Sequence, residues 1–395
     1  MHDKTSAQSS SNVNLNQHVT LEVRGCAGLI TLNRPQALNA LSLPMIRQIT
    51  TALLQWKAQP EVKLVAIRGM GKNPAHAADS SAPAYLPFGS FCAGGDIRFF
   101  HQAALAGDPA LEDFFTEEYA LNYLIHTYPK PTVAFMDGIV MGGGMGLAQG
   151  ASHRIVTERT KMAMPETGIG LFPDVGGGYF LSRCPGRLGE YLALTGQTIG
   201  GDEAVSAGLA DMVVDSATLP QLWDALPTLH DVNPLAINQL FATKEIAARA
   251  VSAGSIGQNM LKIDSIFALS TIQLILDALD KDTSAWCAQT AATLRQRSPL
   301  MLHVVLELIR RARSMGLADD LRLERDLVRH CFHTVHLQRC GTGSETVEGI
   351  RALAVDKDHA PKWNPPRIED VTPAMVEPFF QSPWPASAHP LRGLK

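Results

Sequence analysis

Apolar residues recur with two different periods along this chain, and each period predicts one kind of element. Short apolar runs bounded by Gly, Pro or polar residues predict strands: two strands joined at Arg24-Gly25 within 19–35, and one strand each at 63–70, 131–142, 153–164 and 208–215. Runs with apolar residues three and four positions apart predict amphipathic helices, at 37–59 and 109–129. Strands and helices alternate up to about residue 215, which predicts an α/β layer fold.

The pattern changes near residue 216, where it becomes almost wholly helical. Segments 255–279, 283–297 and 299–315 each show apolar residues at helical spacing. We therefore predict four parts: a disordered lead-in over 1–17, an α/β core over 18–215, a helical C-terminal region over 216–380 and a loose, Pro-rich tail over 381–395.

Composition limits the classes of function. The chain has 395 residues, 46% of them hydrophobic, so it can bury a substantial core. A formal net charge of −4 and the absence of a long apolar run predict that neither nucleic acid nor a membrane is a partner. The polar N-terminus has neither the apolar stretch of a secretory signal nor the Arg-rich pattern of a transit peptide, so we predict a cytoplasmic protein.

The cysteines and histidines predict neither disulfides nor a metal site. Six cysteines are scattered without a CxxC pair, which is the usage of a reducing compartment. Cys92 is predicted to be a small buried side chain, because no histidine partner lies near it in sequence. His330, His333 and His336 are three residues apart on a predicted helix, a spacing that drifts around the helix, so we predict no metal ligation.

The most informative chemistry lies in two neighbouring segments, MGGGMG at 141–146 and MPETGIGLFPDVGGG at 164–178. The second places Glu166 and Asp174 on a stretch whose glycines and prolines exclude a long helix or strand. Backbone N–H groups beside glycines can stabilise an oxyanion, while two carboxyls can act as acid and base. Glu166 and Asp174 beside the glycines therefore indicate an enzyme that hydrolyses or hydrates an acyl group. The alternative is that both acids are solvated loop residues without a catalytic role.

Four ordered blocks resemble the enoyl-CoA hydratase/isomerase (crotonase) superfamily: ITLNRPQALNAL at 30–41, FCAGGDI at 91–97, DGIVMGGGMGLA at 137–148 and LTGQTIGGDEAVSAGLADMVV at 194–214. Within it, residues 163–183 and 348–366 are most similar to the 3-hydroxyisobutyryl-CoA hydrolases. The resemblance implies an α/β fold, a crotonase-like spiral of β-β-α units with a helical C-terminal region. It also implies an acyl-CoA substrate, in which CoA is part of the substrate, and no separate cofactor or metal.

The resemblance also assigns roles to residues at matching positions. Ala93 and Gly143 would supply the two backbone N–H groups around the thioester carbonyl, with Gly94 beside them in the substrate-binding turn. Glu166 matches the catalytic glutamate, which acts either as nucleophile or as base on water. Asp174 matches the second acid, which orients or protonates the reacting groups.

Three further positions are expected to contact substrate. Glu118 lies on an apolar helical stripe, where a carboxylate is costly unless it is paired or faces a polar pocket. The pattern alone does not choose between Glu117 and Glu118, and the resemblance points to Glu118. Arg34 and Ala37 match the loop that holds the CoA moiety, with Arg34 available to a phosphate.

Position 146 separates the reactions of this superfamily. Its hydratases have a glutamate two residues after the triple glycine, where this chain has Gly146. Adding water to a double bond calls for two carboxylates, so the resemblance implies hydrolysis of a short hydroxyacyl-CoA thioester, foremost 3-hydroxyisobutyryl-CoA in valine catabolism. The alternatives are an enoyl-CoA hydratase or isomerase acting on 2-enoyl-CoA and a non-catalytic acyl-CoA-binding protein.

Two expectations concern the whole molecule. Superfamily members often assemble as trimers or hexamers, so a homo-oligomer is among the expectations, with no number fixed by the chain. The Pro- and Ala-rich insert at about 72–90 immediately precedes FCAGGD, and we predict that it forms a lid or changes acyl-chain preference.

Overall fold

The computed structural model describes residues 17–73, 84–244 and 255–395. Nearly all of the predicted lead-in and most of the 72–90 insert lie outside the described residues. The strands are β1 (Val19–Arg24), β2 (Ala27–Leu32), β3 (Leu64–Gly69), β4 (Gly71–Lys72), β5 (Tyr85–Leu86), β6 (Thr132–Met136), β7 (Ile139–Met141), β8 (His153–Thr157), β9 (Lys161–Ala163), β10 (Met212–Val214), β11 (His333–Thr334) and β12 (Arg339–Cys340).

The helices alternate with these strands as far as β10 and then dominate the chain. They are α1 (Leu43–Ala58), α2 (Ile97–Ala106), α3 (Ala110–His126), α4 (Gly143–Gln149), α5 (Gly177–Leu181), α6 (Leu188–Thr195), α7 (Gly201–Ser206), α8 (Leu219–Ala225), α9 (Pro234–Ala242), α10 (Ser255–Phe267), α11 (Ile272–Lys281), α12 (Ala285–Gln296), α13 (Pro299–Ala312), α14 (Leu317–Phe332), α15 (Glu345–Ile350) and α16 (Pro373–Val376).

One six-stranded sheet organises the N-terminal half, in the order β1-β2-β3-β6-β8-β10. Only the β1–β2 pair is antiparallel, and the other neighbours are parallel. All residues of β2 and β6 are buried, as expected for parallel strands that are covered on both faces. The α/β class and the helical C-terminal region predicted from the hydrophobic pattern are confirmed.

Two predicted strands are each divided in the structure. Segment 131–142 forms β6 and β7, which are separated by Gly138 with a φ of +58°. Segment 153–164 forms β8 and β9, and β9 pairs in parallel with β7 in a second, small sheet. The chain therefore leaves the main sheet after β6, and the short β7 strand leads directly to the glycines at the start of α4.

The C-terminal helices pack on the α/β half of the molecule. Helix α14 contacts α3 and α5, and α15 contacts the short helical turn at Glu166–Ile169. A single hydrophobic cluster includes both Leu194 before the predicted boundary and Ile309 after it. The boundary near residue 216 stays a prediction, but the two parts share one core.

The last fifteen residues contain little regular structure. His389 and Leu391 are nevertheless buried, and Arg322 of α14 donates a hydrogen bond to the carbonyl of Leu394 at 2.9 Å. The segment predicted as a loose tail thus lies against α14. Across the described ranges, no helix is both long and apolar enough to cross a membrane.

Candidate active site

A cavity of about 330 Å³ lies where the α/β half meets the C-terminal helices. Six of the eight site residues predicted from the sequence line it together: Ala93, Gly94, Glu118, Gly143, Glu166 and Asp174. The two that do not line it, Arg34 and Ala37, belong to the loop after β2. The structure therefore brings the three predicted carboxyls to one place, beside the glycine-rich backbone.

Glycines allow the carboxyls to approach the backbone this closely. Gly142 has a φ of +49° and turns the chain from β7 into α4, which begins at Gly143. A Cβ atom at Gly142 would lie 2.9 Å from Glu166 Oε1, and one at Gly143 would lie 2.4 Å from Glu118 Oε1. A side chain at either position would force one of these carboxyls to move, so glycine lets both keep their places.

The free backbone donors differ in part from the prediction. The Ala93 N–H donates to the Leu38 carbonyl at 3.0 Å, so it is not free to bind a thioester oxygen. The N–H of Gly143 starts a helix and has no intrahelical acceptor. Among the described residues no acceptor occupies the N–H of Gly95 either, and this nitrogen would lie 3.4 Å from a Cβ at Gly143. The pair of available amides is therefore Gly95 and Gly143.

Burial raises the proton affinity of all three carboxyls. Glu118, Glu166 and Asp174 are at most 6% exposed. Desolvation, and then the charge of Asp174, raise the pKa of Glu118 and of Glu166 well above the usual range. Burial also raises the pKa of Asp174, to about 6, although the hydrogen bond from Tyr119 opposes the rise.

Of the carboxyl oxygens on the three acids that line the cavity, two are buried without a hydrogen-bond partner within the residues that the structure describes. They are Glu118 Oε1 and Glu166 Oε2. A buried carboxyl oxygen without a donor is costly, and it is a natural point of contact for a polar ligand. The neighbouring Glu117 is different, since it pairs with Arg47 at 2.6 Å on the protein surface. Glu118 is thus the member of the Glu117–Glu118 pair that faces the cavity.

Arg34 is occupied by contacts inside the protein. Its guanidinium lies 2.8 Å from Asp96 Oδ2 and donates to the carbonyl of Ala40 at 3.1 Å. Because Asp96 also caps the start of α2, the arginine ties the loop after β2 to that helix. Ala37 ends a short helical turn in the same loop. A role of Arg34 and Ala37 in holding CoA stays a prediction.

The segment that carries Glu166 and Asp174 is held by residues that the sequence did not reveal. Glu324 of α14 accepts the N–H groups of Gly176 at 2.7 Å and Gly178 at 2.9 Å, just after Asp174. On the other side, the Thr346 hydroxyl of α15 donates to the Gly170 carbonyl at 2.6 Å. The C-terminal helices therefore hold this segment at two points.

Part of this support had a signal in the sequence. Asp320 and Glu324 lie four residues apart in LADDLRLERDL, on a helix with a clear apolar stripe, and both are fully buried. Asp320 accepts the Tyr179 N–H at 2.8 Å, beside the amides held by Glu324. Acids inside an apolar stripe need partners, but the pattern could not name amides more than 140 residues away.

Gly146 packs tightly against the rest of the site. A Cβ there would lie 2.6 Å from Val175 Cβ and 2.9 Å from Asn122 Nδ2. A longer side chain at this position would therefore require its neighbours to move. Within 17–73, 84–244 and 255–395, no group of three or more His, Cys, Asp or Glu side chains is arranged to hold a metal ion.

Comparisons with known proteins agree on the family. The family model of enoyl-CoA hydratase/isomerase matches residues 27–380. A 3-hydroxyisobutyryl-CoA hydrolase, mitochondrial, from Xenopus tropicalis is 41% identical over 361 residues, which cover 91% of this chain and 87% of the relative. The protein of the same name from Homo sapiens is 38% identical over 376 residues, covering 94% and 91%.

Solved structures show the same fold under different functional names. A carnitinyl-CoA dehydratase from Mycobacterium thermoresistibile has a TM-score of 0.81 and 34% identity, covering 94% of this chain and 98% of its own. An enoyl-CoA hydratase from Rhodobacter sphaeroides has a TM-score of 0.78 and 36% identity, covering 93% and 98%. These matches confirm the predicted crotonase-like fold with its helical C-terminal region.

The comparisons overturn the predicted location. The relatives from Xenopus tropicalis and Homo sapiens are both named mitochondrial, which contradicts the cytoplasmic location predicted from the sequence. The prediction was wrong because it relied on the composition of a short polar N-terminus, which is a weak indicator of targeting. The matched length and identity, together with the fold, show that the chain belongs to the enoyl-CoA hydratase/isomerase family.

Proposed function

We propose that this protein hydrolyses the thioester of 3-hydroxyisobutyryl-CoA to 3-hydroxyisobutyrate and CoA, a step of valine catabolism. The observation that carries the proposal is the convergence of Glu118, Glu166 and Asp174 on one cavity beside the free Gly143 amide. The names of the relatives, which match most of the chain, supply the substrate.

The backbone would stabilise the charge that develops on the thioester oxygen. Two N–H groups fixed by the fold, those of Gly95 and Gly143, can donate to this oxygen without rearranging. One such donor contributes on the order of 3 kcal/mol to the stability of the transition state. Because Gly143 also begins α4, the partial positive charge of the helix start adds to the effect.

The carboxyls would then move the protons. Glu166 either attacks the carbonyl carbon or takes a proton from the attacking water, and Asp174 orients or protonates the reacting groups. If Glu166 attacks, an anhydride between the acyl group and Glu166 forms as the carbon–sulfur bond breaks, and water then cleaves this anhydride to release the acid and restore Glu166. If Glu166 acts as base, the water oxygen bonds to the carbonyl carbon directly and the carbon–sulfur bond breaks. In either route one water is consumed and the sulfur receives one proton. Burial raises the pKa of both carboxyls, so a proton that one of them takes from water is held more strongly and can pass from it to the leaving thiolate.

Glu118 would recognise the hydroxyl group of the acyl chain. Its Oε1 lies beside Gly143, which also supplies the amide for the thioester oxygen, and it has no partner among the described residues. A site built to bond a hydroxyl disfavours an analogue that lacks it, because its own polar group is then left unpaired. We therefore expect faster hydrolysis of hydroxyacyl-CoA than of the corresponding acyl-CoA.

Hydration of 2-enoyl-CoA is the second candidate, because two solved relatives are named as a dehydratase and a hydratase. Against it, position 146 carries no carboxylate, and Val175 and Asn122 fill the space around Gly146. The two candidates separate in one assay. Loss of the 2-enoyl absorbance of crotonyl-CoA without thiol release would identify a hydratase.

A thiol-release assay with a panel of CoA esters tests the proposal. We expect 3-hydroxyisobutyryl-CoA to be cleaved fastest, 3-hydroxypropionyl-CoA next, and isobutyryl-CoA and crotonyl-CoA slowly. The proposal includes no cofactor, so activity should survive EDTA. We also propose that the protein forms a homo-oligomer, and light scattering would measure the mass of the assembly. Equal rates of thiol release from all four esters, or no thiol release from any of them, would contradict the proposed activity.

A further inference from the structure

Tyr119 has a place in the site that neither the motifs nor the comparisons assign. It follows Glu118 on α3, is fully buried and packs edge-on against Phe115. Its hydroxyl lies 2.8 Å from Asp174 Oδ2. This contact joins α3 to the segment that carries the second acid, across 55 residues of sequence.

The contact distinguishes Asp174 from the other two buried carboxyls. In the part of the chain that the structure describes, Glu118 Oε1 and Glu166 Oε2 have no donor, whereas Asp174 Oδ2 has the Tyr119 hydroxyl. The terminal torsion of a carboxyl side chain is broad, so a carboxyl with an oxygen that lacks a donor is less restricted in rotation. A donor fixed in a packed core restricts this rotation and occupies one of the two oxygens.

We propose that Tyr119 is a positioning residue for the hydrolysis: its hydroxyl fixes the Asp174 carboxyl by holding Oδ2, so that Oδ1 is the oxygen presented to the reacting groups. The inference rests on the proposed function and adds a residue to it. Tyr119 itself acts only through Asp174.

The surrounding charges favour this direction of the hydrogen bond. The other titratable groups around the Tyr119–Asp174 pair are Glu118 on α3, Glu166 on its short helical turn, and Glu324 and Cys331 on α14. Burial, followed by the charge of Asp174, raises the pKa of Tyr119 well above its usual value, so it remains a phenol that donates. Its hydrogen bond in turn lowers the pKa of Asp174 and partly offsets the effect of burial.

Tyr119→Phe tests the proposal, with Tyr128→Phe as the matched control. Tyr128 donates a hydrogen bond of 2.7 Å to the Leu53 carbonyl and does not line the cavity, so its variant loses a similar bond elsewhere. For Tyr119→Phe we expect kcat to fall about tenfold to hundredfold with little change in KM, as for the loss of a hydrogen bond to a charged group. The ionisation of Asp174 within the acid limb of kcat/KM should move to higher pH, because the donor that lowered the pKa of Asp174 is gone.

Site-specific 3-fluorotyrosine at position 119 gives a second readout that keeps the aromatic packing. Fluorine makes the phenol a stronger donor, so the acid limb should move to lower pH, opposite to the shift in Tyr119→Phe. A role of Tyr119 in packing alone predicts no shift of opposite sign. The 3-fluorotyrosine variant therefore tests whether Tyr119 positions Asp174 even if Tyr119→Phe fails to fold.

The outcomes separate the inference from the function on which it rests. If the wild-type protein releases no thiol from 3-hydroxyisobutyryl-CoA, the proposed function fails and the role of Tyr119 fails with it. If the wild type is active but the acid limb is the same in wild type and both Tyr119 variants, only the positioning role is refuted. Opposite shifts of the acid limb support both.

Discussion

Gly143→Ala perturbs the centre of the proposed site with a single methyl group. The new Cβ would lie 2.4 Å from Glu118 Oε1 and 3.4 Å from the Gly95 nitrogen. Non-bonded heavy atoms pack at roughly 3.5 Å, so the Glu118 carboxyl has to move by about 1 Å. The φ of Gly143 is not positive, so the effect is due to crowding and not to backbone strain.

The size of the effect follows from this displacement. Overpacking in a buried site costs about 1–3 kcal/mol in the free energy of unfolding. A misplacement of about 1 Å at a reacting centre can lower the rate about a hundredfold. We therefore expect Gly143→Ala to fold, with lower stability, and to hydrolyse 3-hydroxyisobutyryl-CoA about a hundredfold more slowly in kcat/KM.

Gly200→Ala is the matched control. Gly200 precedes α7 with a φ of −84°, and a Cβ there would have no heavy atom within 4 Å. Thiol release and urea unfolding should be measured for both variants. If Gly143→Ala releases thiol as fast as Gly200→Ala, substrate does not bind between Gly143 and Glu118.

Two further predictions concern the supports and the charge of the site. Glu324→Gln leaves only one oxygen to accept the N–H groups of both Gly176 and Gly178. We expect urea unfolding to show a free energy of unfolding that is lower by about 1–3 kcal/mol, and assays to show a lower kcat. Unchanged stability and kcat would contradict this prediction. Burial raises the pKa of Asp174 to about 6, so its ionisation destabilises the folded state, an effect that is absent below the unfolded pKa and complete above about 6. Asp174→Asn should therefore stabilise the protein relative to wild type at pH 8 and not at pH 3.5, and an equal effect at both pH values in urea unfolding would refute this.

The fold could be predicted from the sequence because its signals are local. Strand and helix periods, and the glycines that end them, depend on neighbouring residues, and they gave the α/β half and the helical C-terminal region. The division of 131–142 into β6 and β7 was missed, because a continuous apolar run does not show that the chain leaves one sheet for another.

The site could be predicted only where a motif carried it. The tertiary fold brings together Glu118, Glu166 and Asp174, which are far apart in the sequence. Only the resemblance to a known family indicated that they belong to one site. The donor at Ala93 was misassigned because successive peptide groups point in different directions, which sequence does not show. The ion pair of Arg34 could not be predicted, because its partner Asp96 lies 62 residues away in the sequence.

In the proposed reaction, cleavage of the thioester depends above all on the buried Glu166 carboxyl. Its most direct test is thiol release from 3-hydroxyisobutyryl-CoA by the wild type and by Glu166→Gln, with binding of the CoA ester measured by calorimetry on the same samples. We expect the substitution to lower kcat by at least about a thousandfold, because it removes the group that acts as nucleophile or as base, and to leave binding largely intact. Turnover by Glu166→Gln at the wild-type rate would contradict the account.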